Sequence, residues 1–221
     1  MRLRTGLLGP LALVSFVLAA AVACAPATGG RSSSPAAPPP AAHAATSTTG
    51  PQAAVMAATT TTAAAQASPR QLRAQFEQLL GLHALLAVRL MRSVVAAAPD
   101  FVSVASASLQ DNTDALSQLV KATYGDTQAD RFTRLWQRHV TDLFAYAKGV
   151  ASHDASAKQT ARTALLADAE AYGAWLAQAS GGRGRASDAT VGVRMHVEEL
   201  MTQADAYAAA DYAKAYRIER Q

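Results

Sequence analysis

Residues 135–147 read LWQRHVTDLFAYA. Counting from Phe132, they set Trp136, His139, Leu143 and Tyr146 at successive intervals of 4, 3, 4 and 3 residues, which lines up one stripe of an α-helix. The stripe is bulky and apolar apart from one imidazole. It predicts a core-facing helix from about Asp126 to Val150, with DTQAD supplying its N-cap and early acidic residues. It also raises the question of what a histidine does on such a face.

The same period runs through the rest of the chain after Ser68. Leu72, Phe76, Leu79, His83, Leu86, Leu90 and Val94 form a stripe from Pro69 onward, stopped by AAAPD with its breaker Pro99. A second helix is predicted over 100–124, with Phe101, Ala105, Ser108, Asn112, Ala115 and Leu119 on one side and YGD closing it. A fourth covers 154–180, with Leu165, Ala169, Tyr172 and Trp175 or Leu176 inward, and the loop GGRGR follows. A fifth covers 187–208 through Val193, His196, Leu200 and Tyr207, and a short sixth begins near Asp211. Alternating β-branched residues are absent. The fold class is therefore all-α, an up-and-down bundle of four to six helices with short connections, preceded by a disordered tether.

Three of the four histidines in this helical part, His83, His139 and His196, fall on core stripes near the middle of their helices, and so does Asn112. RHVTDL and MHVEEL share the pattern H-V-x-x-L, so the third and fifth helices look like variants of one solution. Mid-helix positions of a bundle meet at one depth, so three imidazoles can face one another there. A buried neutral histidine costs a few kcal/mol unless its nitrogens are satisfied or used.

Two readings follow. In one, His83, His139 and His196 are nitrogen ligands for copper, zinc or nickel, with Asn112 or Asp114 orienting a ligand from behind. In the other, the layer is structural, held by hydrogen bonds to Asn112, to the hydroxyls of Tyr146, Tyr172 or Tyr207, and to water. Leu80, Trp136 and Val193 stand three residues before the histidines, so the Glu-x-x-His of carboxylate di-iron bundles is missing. Two of the histidines could instead ligate a non-covalent haem. No H-E-x-x-H, C-x-x-C-H, phosphate loop or Gly-x-Ser-x-Gly occurs, and the balance is against an enzyme.

The segments LLGLHALLA, LQDNTDALSQLVKATYG, FTRLWQRHVTDLFAYAKG and HVEELMTQADAYAAADYAKAY occur in that order. This layout, over residues 72–216, resembles a group of bacterial extracellular helical domains found in proteins labelled copper amine oxidase-like. The resemblance implies that His83, Asn112, His139 and His196 are family-type positions, without implying an activity. Leu82 stands where such domains often carry Glu before the first histidine. The quinone chemistry of copper amine oxidases is not implied, because their His-x-His copper motif is absent.

Residues 1–23 read as an export leader: Arg2 and Arg4, then an apolar run from Leu7 to Ala23. AVAC ends it like a lipobox, which makes Cys24, the single cysteine, the lipidation site, although Ala21-Val22-Ala23 also suits ordinary signal cleavage at the same bond. Residues 24–68, with PAAPPPAA and TTTTAAA, lack periodic bulky residues and predict a disordered Ala/Thr/Ser/Pro tether. Nothing beyond the leader is expected to span a bilayer.

The net charge of +4 includes Arg2, Arg4 and Arg31. Residues 69–221 carry 17 basic and 16 acidic side chains, which leaves no basic patch for nucleic acid. The sequence thus points to an exported, lipid-anchored binding protein of the cell envelope, facing the extracytoplasmic side, with a three-histidine layer for copper or zinc. The alternatives are a structural or partner-binding scaffold, with an envelope protein as partner, and a metal-dependent enzyme.

Overall fold

The structure, a computed structural model, describes residues 68–220. Among them are six helices and no strand: α1 (Pro69–Val95), α2 (Pro99–Tyr124), α3 (Asp126–Ala151), α4 (Ala155–Ala179), α5 (Ala186–Ala208) and α6 (Tyr212–Glu219). The all-α bundle is as expected. The leader, Cys24 and the tether up to residue 67 lie outside the described residues.

Ser68, read from the sequence as the last residue of the tether, is the N-cap of α1. Its hydroxyl accepts from the Gln71 amide at 3.3 Å, and the Gln71 side chain accepts from the Ser68 amide at 2.8 Å. This capping box satisfies two of the helix's orphan donors, and Pro69 at the first helical position loses no hydrogen bond by lacking an N–H.

The connections are tight and mostly of one kind. Ala97, His153 and Ala210 take left-handed φ values of 51°, 55° and 57°. After each, the next amide returns to a carbonyl five residues back: Ala98 to Ser93 at 3.0 Å, Asp154 to Gly149 at 2.9 Å and Asp211 to Ala206 at 2.9 Å. That is the Schellman closure, which satisfies the last carbonyls of a helix. α2 and α3 are joined by Gly125 alone, whose φ of 83° is open to glycine without steric cost. Gly125 is therefore the N-cap of α3, and Asp126 lies inside the helix instead of capping it as the sequence suggested.

α3 packs against α1, α2, α4 and α5, α1 also touches α5, and α6 folds back on α5. Successive helices pack side by side across short turns, so α1, α3 and α5 run one way and α2 and α4 the other. Tyr146 of α3 accordingly donates to Asp205 of α5 at 3.0 Å, both near the C-terminal ends of their helices.

The core has two main clusters along the bundle axis. Phe76, Leu116, Phe132, Trp136, Tyr172 and Trp175 fill one end. Met91, Leu143, Tyr146, Leu165, Val197 and Met201 fill the other. On α1, α3 and α5 the histidines lie between the two.

α2 departs from the expected stripe. Phe101 is 71 % exposed and Ala115 is exposed, whereas Leu109, Asn112, Thr113, Leu116 and Val120 are buried. α2 packs on α1 and α3 at the edge of the bundle, so its first turn has no neighbour to cover it. α1 departs in another way, being long and apolar enough to cross a membrane by length and composition, contrary to the expectation for everything beyond the leader. Its apolarity reflects packing on three sides, with Phe76, Leu80, Leu86, Ala87, Leu90 and Met91 all buried.

Helix α5 packs tightly against α4 at Gly173. A Cβ there would lie 2.6 Å from the Ala186 carbonyl oxygen, a backbone atom that cannot swing away. Gly173→Ala is expected to cost about 1–3 kcal/mol through overpacking. A lowered urea midpoint at unchanged m-value checks this, and an unaltered midpoint would mean that the helices separate freely.

Candidate metal centre

α1, α3 and α5 each carry one histidine at mid-length, at the depth left between the two core clusters. Because the three helices run in the same direction, the side chains meet from equivalent positions; this is the structural meaning of the shared H-V-x-x-L of α3 and α5. The ring centroids are 5.5 Å apart for His83 and His139, 5.8 Å for His83 and His196, and 6.0 Å for His139 and His196. One nitrogen from each ring lies within 4.8 Å of the others, and the residues are only 1 %, 1 % and 8 % exposed.

Three points separated by at most 4.8 Å have a common centre no more than about 2.8 Å from each, against the ~2.0–2.1 Å of a zinc–imidazole bond. The nitrogens thus lie within about 1 Å of a ligating separation. Trp136 backs the site, its ring 4.5 Å from that of His83.

Two of the imidazoles keep nitrogens free of protein partners. Both ring nitrogens of His83 and Nδ1 of His139 are buried without a hydrogen-bond partner. The tyrosines expected to serve them are engaged or aimed elsewhere. Tyr146 donates to Asp205, and Tyr207 packs on Tyr212 and under Arg92. Tyr172 meets His139 edge-on at 6.2 Å with its hydroxyl unpartnered. The hydrogen-bonded Tyr–His–Asn layer is thus not formed, because the rings turn toward one another and toward Trp136.

Burial sets the protonation state. Desolvation, followed by the proximity of the other two imidazoles, holds His83 well below its ordinary value. Desolvation first and His196 second bring His139 down to about 3. Desolvation alone brings His196 to about 4. All three are neutral at pH 7, the form that offers a lone pair to a metal.

The other sequence candidates separate. Asn112 is buried on α2, but its Nδ2 donates to the Leu79 carbonyl at 3.0 Å, and its Oδ1 has no partner. Leu79 lies one turn before His83, so its carbonyl also accepts the His83 amide. Asn112 therefore braces the backbone that carries His83 and bonds to none of the rings. Asp114 is exposed and accepts from Gln110 at 2.9 Å, away from the layer.

Three neutral nitrogen donors without a carboxylate suit zinc, copper or nickel, with a fourth position left for water, and not the hard cations that need oxygen. A haem does not fit. The cleft bordering the layer is only about 110 Å³, and even drug-sized ligands need roughly 300 Å³ or more.

Among the buried polar groups that escaped the sequence reading, two keep unpartnered atoms. Asp168 of α4 is 1 % exposed and takes two bonds from Arg138, the neighbour of His139, at 2.6 and 2.5 Å. Burial pushes its carboxyl up even against the pull of Arg138. Gln203 of α5 is 1 % exposed with neither amide atom partnered. Both lie on their helix's inward stripe, three residues after Leu165 and seven after His196, and that spacing was the available signal.

Compared with protein-family models, with curated proteins and with solved structures, the chain has no match.

Proposed function

We propose that this protein binds one transition-metal ion, copper or zinc, at His83, His139 and His196, and that it does so at the outer face of a cell membrane to which a lipid on Cys24 tethers it. The convergence of three neutral, buried imidazoles, with both nitrogens of His83 and Nδ1 of His139 unpartnered, supports the metal reading. Leaving such nitrogens empty costs about 1–3 kcal/mol each, a cost a fold does not keep three-fold without a use. The basic, apolar leader ending in AVAC and the resemblance to extracellular helical domains support the placement.

Calorimetric titration of the intact protein with Zn(II) and Cu(II) tests the first half. One equivalent bound tightly is expected; no heat and no retained metal would make the layer structural and turn attention to protein partners. The second half predicts that Cys24→Ser moves the protein from the membrane fraction into the soluble exported fraction, and unchanged membrane retention would refute the anchor.

A further inference from the structure

The cleft between α1, α5 and α6 is open to solvent on one side and is lined by Gly81, Leu85, His196, Glu199, Gln203 and Glu219, among others. Of the three imidazoles only His196 borders it, and His196 is also the most exposed of them. His196, Glu199 and Gln203 stand at i, i+3 and i+7, one face of α5. The opposite wall thins at Gly81, where a Cβ would meet nothing within 4 Å.

The polar groups here are unequally satisfied. Glu219 is neutralised by Arg92 at 2.6 Å. Among the described residues Glu199 has no ion-pair partner. Gln203 is almost wholly buried, lines the cleft, and leaves both amide atoms without a bond. An uncompensated carboxylate beside an unused amide oxygen repels anions and attracts a divalent cation. Above and below the layer lie buried core residues, Phe132 and Trp136 in one cluster and Leu143 and Tyr146 in the other.

We propose that this cleft is the loading port of the metal centre, in which an arriving divalent cation is held by the Glu199 carboxylate and the Gln203 amide oxygen and then handed to the His196 imidazole. The proposal rests on the triad being a metal centre. Oxygen donors replace part of the ion's water before nitrogen donors replace the rest, so the ion never crosses the apolar wall bare, where its lost hydration would be uncompensated. Such a port lowers the barrier in both directions and leaves the final coordination to the histidines.

The test is stopped-flow uptake of Zn(II) by the intact protein from a chromophoric chelator, with equilibrium titration alongside. Glu199→Gln is expected to slow association at least about tenfold, the lower range of electrostatic focusing, and Gln203→Leu to slow it by removing an oxygen donor, while one equivalent still binds. Glu170→Gln removes the same charge from an exposed residue paired with Arg194 on the outside of α4, and is expected to load at the wild-type rate. Association at the wild-type rate in both cleft variants overturns the port, including the case where affinity falls through faster release. Absence of binding in the wild type overturns the metal centre itself, and the port with it, so the two failures are told apart.

Discussion

Taking the metal-free protein from pH 7 to pH 5 should remove about 4 kcal/mol of stability through His139 and His196 alone, with His83 acting in the same direction. Their folded-state values of about 3 and about 4 lie below the ordinary 6.5 of an unfolded histidine. Between those values the unfolded chain binds protons that the folded chain refuses, so unfolding becomes easier as the pH falls. At pH 5 each of the two contributes roughly 2 kcal/mol, from about one and a half pH units at ~1.4 kcal/mol per unit.

Domains of this size have only about 5–15 kcal/mol to lose, so the metal-free fold should approach its midpoint in mild acid. Glu199 and Asp168, whose carboxyls burial pushes up, oppose the trend, but only near the pH at which carboxylates titrate. The loss is therefore steepest between about pH 6.5 and 5. Urea midpoints measured across that window check it. His139→Leu should flatten the slope by the share of one histidine, and a flat wild-type profile would mean that the layer is hydrated or already protonated.

His139→Leu should also abolish tight metal binding. Removing even a group behind a ligand typically lowers metal affinity 10–100-fold, so loss of one of three ligands should exceed about 100-fold. The same change deletes a buried nitrogen without a partner and keeps the side-chain volume roughly constant. At pH 7 the metal-free variant is thus expected to be as stable as the wild type or up to about 1–3 kcal/mol more so. In the wild type, metal at a thousand times its dissociation constant should add about 4 kcal/mol, and in the variant nothing. A variant destabilised by that amount with unchanged metal response would show that His139 serves packing and not coordination.

The helices and the depth of the histidines could be read from the sequence because a buried stripe at helical period needs only local spacing, and α1, α3, α4 and α5 bury such stripes against several neighbours. α2 could be read less well. Its first turn lacks a neighbour, so Phe101 projects into solvent, and further along Leu116, not Ala115, turns inward. The N-cap of α3 was missed because a one-residue link at Gly125 leaves no room for a side-chain cap.

At the site, the meeting of three imidazoles followed from their shared depth, but their hydrogen-bond partners did not. Asn112 reaches a backbone carbonyl on α1, a contact that no side-chain pattern encodes. Asp114, two residues on, turns away from the layer. Gln203 lay on the right stripe, yet an amide there reads like any other polar residue until a cleft is seen beside it.

The three nitrogen donors come from helices whose histidines lie 56 and 57 residues apart, and no helix supplies two of them. No excised hairpin and no partly folded chain lacking α1, α3 or α5 can offer more than two. Holding the ion and being folded are then a single state, and undocking any one of those helices should release the cargo all at once. An ion held as proposed would be a molecular seal on the whole bundle, and its release the earliest sign that the seal has been broken.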